Sequence, residues 1–377
     1  MIYLDNSATT NPKPKSVIYA SNSAMVKNSF NSGRGGYRQS VDTSGAIFTV
    51  REKLADLFGF DVQNICFTQN CTYALNTAIK GSVKEGDHII ISNLEHNAVA
   101  RPVYKLALDG IITYDIANFS YDKEECVNNF KKSIKPNTSV IVCMHASNVF
   151  GCLFPIREIG QLAKENGIRF IVDGAQTAGV IDINAKRDNI DILCAPGHKG
   201  LYGPMGTGFM ALGNDIKIDT IIEGGTGSVS TEMSQPDFLP DRFESGTLNN
   251  SGIIALGSAV DFVKANRVER IFRHEVSLIN YIYREMDKNK NITLYTPSLN
   301  NHNSVPILSF NFGDYSSEKT AMLLAEKGIA VRAGYHCAPL AHSAFKTSDR
   351  GTVRISPSVF TTQRECEIFI NYLKKLG

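Results

Sequence analysis

A chain of 377 residues, 43% apolar and 20% charged, has the make-up of a globular enzyme with a large domain and a lesser one. Its 39 basic and 37 acidic side chains leave a net charge of +2, too even a balance for a nucleic-acid or anionic-membrane surface. No apolar run approaches the roughly 18 residues of a membrane span, and the opening MIYLDNSATTNPKP lacks the basic and apolar regions of a secretory signal. The eight cysteines include no C-x-x-C pair, and Cys66, Cys143 and Cys194 lie in apolar runs where free cysteine acts as a small hydrophobe. Neither a disulfide framework nor a zinc site is expected, and a reducing cytoplasm is the expected location.

In chain order, a short strand is predicted over Ile2–Leu4. A helix follows near Ser16–Lys27, then a Gly/Ser/Asn-rich loop over Asn28–Arg38 and a helix over Ala46–Phe58. Asn64–Gln69 reads as a strand, with Asn70-Cys71-Thr72 as the cap of the next helix. Such a helix start, with hydroxyl side chains and free amides, is either a phosphate seat or an ordinary cap. Asp87–Ser92 is a buried strand, and His96 opens a helix at its carboxyl end. There an imidazole either stacks on a flat cofactor or simply packs. Alternation continues with strand Ile111–Ile116, helix Lys123–Lys132, strand Ser139–Met144, the segment HASNVFG and a helix over Pro155–Asn166. Strands separated by helices over this length predict a parallel sheet covered on both faces.

The most informative stretch is 168–208. Arg169–Val172 reads as a buried strand running into Asp173-Gly174-Ala175-Gln176, and Ile190–Ala195 as another ending in Pro196-Gly197-His198-Lys199-Gly200. A lysine among glycines at a strand end is a solvated loop residue or, if desolvated, an amine ready to form a Schiff base. An aspartate 26 residues earlier could then protonate a pyridine ring, which is what pyridoxal phosphate (PLP) asks of a protein. Gly208–Leu212 is the next strand, and the polar stretch 223–250 is long enough to be functional or to cover an interface. One long helix is predicted from Ile253 through Arg284. Strands Val305–Phe310, Ile329–Arg332 and Thr352–Ile355, with helices Ser317–Lys327 and one from Thr362, then form a small α+β region.

Within that region, AVRAGYHCAPLAH (330–342) reads as a loop carrying Cys337 beside Arg332 and His336. Cationic neighbours make a nucleophilic thiol; a free surface thiol is the plainer reading. Arg354, ending GTVRIS, could grip a carboxylate with its forked donors or be a solvated arginine.

Together, DGAQ, GHKGLYGPMGTG and RAGYHCA, in this order and over nearly the whole chain from YLDNSATT to VRIS, resemble the class V aminotransferase group of fold-type I PLP enzymes. Within it they resemble the cysteine desulfurases and selenocysteine lyases. The resemblance implies an α/β fold, with a large domain of mostly parallel sheet over 14–252 and a small α+β domain over 1–13 and 253–377 carrying the Cys337 loop. It implies PLP bonded to Lys199, His96 stacked on the ring, Asp173 at the pyridine nitrogen and Gln176 at the phenolic oxygen. Cys71, Thr72 and His198 would form the phosphate cup, with Thr247 of RFESGT reaching in from a second subunit of a homodimer. Asn148 would serve cofactor and substrate, and Arg332 and Arg354 the substrate. Two positions depart from the pattern: Cys71 stands where a hydroxyl residue is common, and Pro196 where a serine often precedes Gly-His-Lys.

The implied reaction turns L-cysteine into L-alanine. Lys199 removes the Cα proton, and Cys337 takes the sulfur as a persulfide for an acceptor protein, the thiolate being the form that attacks sulfur. The alternatives are a lyase preferring L-selenocysteine, another PLP-dependent transaminase or β-lyase in which Cys337 is incidental, and a cofactor-binding regulatory partner.

Overall fold

Unbroken apolar runs build the central sheet of the computed structural model, which describes residues 1–33, 35–297 and 304–376. Arg34, in the loop predicted over 28–38, and residues 298–303 and 377 of the predicted small domain lie outside them. The chain opens with β1 (Ile2–Tyr3), α1 (Lys15–Lys27) and α2 (Arg38–Phe58). Strand and helix then alternate through β2 (Ile65–Thr68), α3 (Cys71–Gly81), β3 (Asp87–Ser92), α4 (Asn97–Leu108), β4 (Ile112–Ala117) and α5 (Lys123–Lys132). Next come β5 (Thr138–Met144), α6 (Ile156–Glu165), β6 (Arg169–Asp173), the single turn α7 (Ala185–Asp188), β7 (Ile192–Pro196) and β8 (Gly208–Leu212). These strands form one seven-stranded sheet in the order β2-β8-β7-β6-β5-β3-β4. Every pairing is parallel except those of β8 with β2 and β7.

The runs carry no polar face because both faces are covered. Ile90, Ile141, Phe170 and Val172 enter one core with Ile47, Val50, Leu54, Ile159 and Leu256. Their neighbours Ile89, Ile91, Val140, Val142 and Ile171 enter the other, with Leu75, Ile79, Val99 and Val103 of α3 and α4.

The remaining elements are α8 (Asn250–Asn266), α9 (Val268–Met286), β9 (Ile292–Leu294), β10 (Leu308–Phe312), α10 (Ser317–Ala325) and β11 (Ile329–Ala330). After them come β12 (Arg332–Gly334), α11 (Pro339–Ala344), β13 (Thr352–Ile355) and α12 (Gln363–Leu373). Strands β12-β13-β10-β9 make a second, antiparallel sheet with its own core. β1 pairs in parallel with β11, which carries Leu4 into that core beside Phe310, Ile355 and Phe369. The expected class, α/β with a mostly parallel sheet and a small C-terminal sheet layer, is what forms.

Four boundaries differ from the sequence reading. The long helix predicted over 253–284 is two helices, broken at Arg267, whose φ is 59°. α8 packs on the large sheet through Ile253, Leu256 and Val260, whereas α9 packs on the small one through Leu278, Ile279 and Ile282. The apolar spacing continues across a change of core, so it shows no break. α2 starts at Arg38 rather than Ala46; Thr43 and Ser44 hydroxyls donate back to the Gln39 and Ser40 carbonyls in its weak first turns. The strand expected at Val305–Phe310 is Leu308–Phe312, because Val305 and Ile307 pack instead with Ala146. The strand expected over 329–332 divides into β11 and β12, which join different sheets.

The long segment between β8 and α8 is pinned by one buried ion pair. Arg51 Nη1 and Nη2 donate to Glu244 Oε1 and Oε2 at 2.7 and 2.5 Å, and Phe67 N donates to the same carboxylate at 2.6 Å. Both side chains are nearly fully buried, so removing one leaves an uncompensated charge. Glu244→Ala is expected to lower the unfolding free energy in urea by about 3–5 kcal/mol, and a paired Arg51→Met, Glu244→Met variant by clearly less. A loss under about 1 kcal/mol in the single variant would show that the pair is not what holds this segment.

Candidate active site

Parallel strands release their carboxyl ends at one edge of a sheet, and the expected site residues gather there. Asp173 ends β6, and Lys199 follows β7. The turn between β7 and Lys199 is tight: a Cβ on Gly197 would stand 2.2 Å from Thr207 Oγ1, and one on Gly200 2.6 Å from the Ala178 carbonyl. Only glycine fits these close approaches. Thr72, His96, Asn148, Asp173, Gln176, His198, Lys199 and Cys71 line a single cleft.

Burial pushes the Lys199 amine below the ordinary lysine range, against the pull of the Asp173 charge. Asp173, 4% exposed, is raised by its own burial, countered by the Ala175 N–H, Lys199 and the Cys71 thiol. Ala175 N donates to its Oδ1 at 2.8 Å, and Cys71 Sγ to the same oxygen at 3.6 Å. Cys71, expected in the phosphate cup, thus turns its thiol toward the aspartate. At the start of α3, Asn70 Oδ1 caps Tyr73 N at 2.9 Å, and Thr72 stands exposed. His198 Nδ1 is buried with no hydrogen-bond partner among the described residues.

His96 is the N-cap of α4: its Nδ1 accepts from Ala98 N at 3.0 Å, so the proton of the neutral ring sits on Nε2. Burial, with Lys199 next in weight, takes its pKa down to about 4. The same causes take His198 to about 4. Gln176 Nε2 donates to the Ser7 carbonyl at 3.2 Å.

A second group stands beside the cleft. Arg354, 1% exposed, gives Nη2 to Asp5 Oδ1 at 2.6 Å and Nη1 to the Asn148 carbonyl at 2.8 Å, leaving Nε without a partner among the described residues. Each Nη thus has one partner, and Nε is the nitrogen with none among the described residues. Cys337 is exposed; Arg332 Nη2 lies 3.9 Å from its sulfur, and Asn97 N donates to its carbonyl at 2.8 Å. That bond ties the loop to the first residue of α4, next to His96. Burial drives His336 down to about 2, so it is neutral and Arg332 is the cation beside the thiol. Thr247 is exposed and is not among the residues that line this chain's own cleft.

Several positioning groups escaped the sequence reading. Asp5, Ser7 and Lys13 lie in the N-terminal segment that runs under the site; Lys13 Nζ donates to the His198 carbonyl at 2.8 Å. Their partners lie 349, 169 and 185 residues away, so no local pattern marks them. Glu95 is fully buried, holds Met144 N at 2.8 Å and is raised to about 8 by burial. Among the described residues no group of acidic, histidine or cysteine side chains could hold a metal ion, and no helix is long and apolar enough to cross a membrane.

Residues 2–369 match the aminotransferase class-V family model, and the chain belongs to that family. A probable cysteine desulfurase of Methanothermobacter thermautotrophicus is 29% identical, the match covering 100% of this chain and 94% of that protein. The cysteine desulfurase IscS of Dictyoglomus turgidum is 30% identical with the same coverage. Among solved structures, the apo cysteine desulfurase of Thermococcus onnurineus NA1 superposes with a TM-score of 0.92 at 30% identity, over 100% of this chain and 94% of that one.

The depressed imidazoles fix the sign of a pH effect. His96, His198 and His336 stay neutral in the folded chain where an unfolded histidine, near 6.5, takes up a proton. At these three groups the unfolded state binds more protons, so their contribution to stability falls as pH drops from about 6.5 toward 4, while the raised carboxyls of Glu95 and Glu275 contribute in the opposite sense. The thermal midpoint should lose the histidine contribution over pH 6.5 to 5.5, roughly the range before most carboxylates titrate. That loss should be smaller in His96→Asn; an unchanged slope would mean that His96 is not held neutral.

Proposed function

We propose that this protein is a PLP-dependent cysteine desulfurase that converts L-cysteine to L-alanine and holds the sulfur as a persulfide on Cys337 for an acceptor. The observation that carries this reading is an exposed cysteine bonded through its own carbonyl to α4, whose cap, His96, lines the cleft of a desolvated lysine. The full-length relatives carry the same activity in their names.

The residues present suit PLP. The cleft offers a buried amine, a buried carboxylate with one oxygen already satisfied, a neutral imidazole and a helix start with free amides. It also offers unpartnered polar atoms on Asn148 and His198. When bound, PLP supplies an electron sink for breaking bonds at the substrate Cα and Cβ. Lys199 would hold it and, once free, take and return the Cα proton. Asp173 would keep a proton at the pyridine nitrogen, and Gln176 would face the phenolic oxygen. The α3 start with Thr72 and His198 would seat the phosphate, joined by Thr247 of a partner subunit in a homodimer. Cys71 would act from behind, through Asp173. Arg332, Asn148 and the free Nε of Arg354 would orient the substrate.

The Cys337 thiolate attacks the substrate sulfur. A sulfur–sulfur bond forms, the carbon–sulfur bond breaks with its electron pair going to the carbon side, and a proton returned there completes alanine. Residues 14–252 would form the cofactor domain, and 1–13 with 253–377 the domain that presents the thiol. A reducing cytoplasm suits a carrier thiol that must be recycled.

Alanine release from L-cysteine with a reductant, measured on wild type, Lys199→Ala and Cys337→Ala, tests the reading. Lys199→Ala should lose about 10²-fold or more, the range for a lost general base. Cys337→Ala should lose alanine formation while keeping the cofactor's visible absorbance. Full activity in Cys337→Ala, with turnover raised by a keto acid, would overturn desulfuration in favour of transamination. Activity on L-selenocysteine that survives the mutation would point to the lyase.

A further inference from the structure

Asn148 touches both halves of the machinery. It is 5% exposed and lines the Lys199 cleft. Its Nδ2 donates to the His336 carbonyl at 2.8 Å, and its own carbonyl accepts from Arg354. Its Oδ1 is buried with no partner among the described residues. Because His336 contributes a carbonyl, the atom facing it has to be the amide nitrogen, which makes Oδ1 the free end.

The segment that Asn148 grips is under backbone strain. His336 and Cys337 take φ values of 51° and 57°, a left-handed region that non-glycine residues enter only when their surroundings hold them there. The turn is held by Asn97 N to the Cys337 carbonyl, Ala338 N to the Tyr335 carbonyl at 2.9 Å, the Asn148 amide, His336 Nε2 against the Arg332 carbonyl at 3.4 Å, the stacking of the buried His336 ring on His342, and the burial of Ala338. An amide group is planar, so fixing its oxygen fixes its nitrogen.

We propose that Asn148 is a positioning residue for Cys337: a donor group on a molecule in the cleft engages Oδ1, and the amide so fixed holds His336 and sets where the thiol stands. The inference rests on the desulfurase reading, in which cofactor and amino acid share that cleft. Its consequence is that Cys337 differs in reactivity between an empty and a filled substrate site.

Cys337 is exposed while the other seven cysteines are buried, so alkylation of the folded protein by iodoacetamide, mapped by peptide mass, reads this thiol. The experiment compares PLP-loaded wild type, Asn148→Ala, Asn148→Asp and Asn148→Gln, with and without saturating L-alanine, which brings an amine but no sulfur. In wild type, L-alanine should change the alkylation rate by at least about threefold, the scale of a modest coupling between sites. In Asn148→Ala and Asn148→Asp, which lack the donor, the rate without L-alanine should already depart from wild type by a similar factor and no longer respond. Asn148→Gln, which keeps both groups, should recover part of the response.

Alkylation of Asn148→Ala at wild-type rates, with the wild-type response to L-alanine, would overturn the proposal. If a variant loses the cofactor, judged by its absorbance, it is compared with cofactor-stripped wild type, and equal rates there overturn the proposal as well. Melting curves identify a variant that has failed to fold; the Asp and Gln variants, near-isosteric and amide-retaining respectively, then carry the comparison. Absence of alanine release from L-cysteine in a wild type that still shows the alkylation response would sink the desulfurase reading and leave this coupling standing.

Discussion

A lysine amine has to be neutral to act as a nucleophile or base, and here it is buried beside an aspartate that, on the proposed reading, has to stay charged to hold a proton on a ring nitrogen. The two demands conflict, because each group's charge favours that of the other. Burial is the dominant influence on both: it lowers Lys199 and raises Asp173. The aspartate is then supported from its far side by the Ala175 N–H and the Cys71 thiol, while among the described residues no hydrogen-bond acceptor holds a charged form of the lysine. The parallel pairing of β6 with β7, Asp173 opposite Cys194, fixes the separation at which this balance is struck. The glycines at 197 and 200 let the lysine turn come down onto it. The neutrality of His96 and His198 follows from the same burial and from the nearby lysine.

The site's second constraint spans the chain. Buried Arg354 and half-buried Asp5 form a pair that joins the segment after β1 to β13, and the same segment accepts Gln176 through Ser7 and places Lys13 on the His198 carbonyl. A buried arginine needs all its donors engaged or aimed at something. With one partner on each Nη, Nε is the nitrogen left without one among the described residues. The first residues of the chain thereby act as the floor of a site built by the middle and closed by the end.

What the sequence discloses follows from how local its cause is. Asp173, Gln176, His198 and Lys199 lie at the ends of unbroken apolar runs, so their place on the sheet edge can be read from strand length alone. The caps at Asn70 and His96 are legible because a helix start has a polar signature within four residues. The break at Arg267 is not legible: no glycine or proline marks it, and its cause is a change of the core against which α8 and α9 pack. The direction of the Cys71 thiol was equally hidden, since position in a helix cap does not say which strand end a side chain will meet. Asp5, Ser7 and Lys13 carry no local pattern at all, because each acts on a partner brought near by the whole fold. The Cys337 loop is an intermediate case. Its residues announce a reactive turn, but the left-handed conformation of two consecutive non-glycine residues depends on Asn97 and Asn148 from distant elements.

On the proposed desulfurase reading, the placement of Cys337 resolves a further conflict. Proton removal at carbon needs a dry pocket in which a lysine stays neutral, whereas delivery of sulfur needs a thiol that an outside acceptor can reach. One rigid element cannot serve both, and here the work is divided. The buried amine and carboxylate belong to the large sheet, and the exposed thiol belongs to a turn following β12 of the small one. The two are joined by main-chain and amide hydrogen bonds and by packing, since Ala338 and Ala341, just after Cys337, enter the core of the large sheet. Packed cores yield poorly to small displacements, so Ala338 anchors one side of the turn while Cys337 itself stays exposed in a left-handed conformation. A carrier thiol that must face first the cleft and then the solvent is served by an exposed position beside such an anchor.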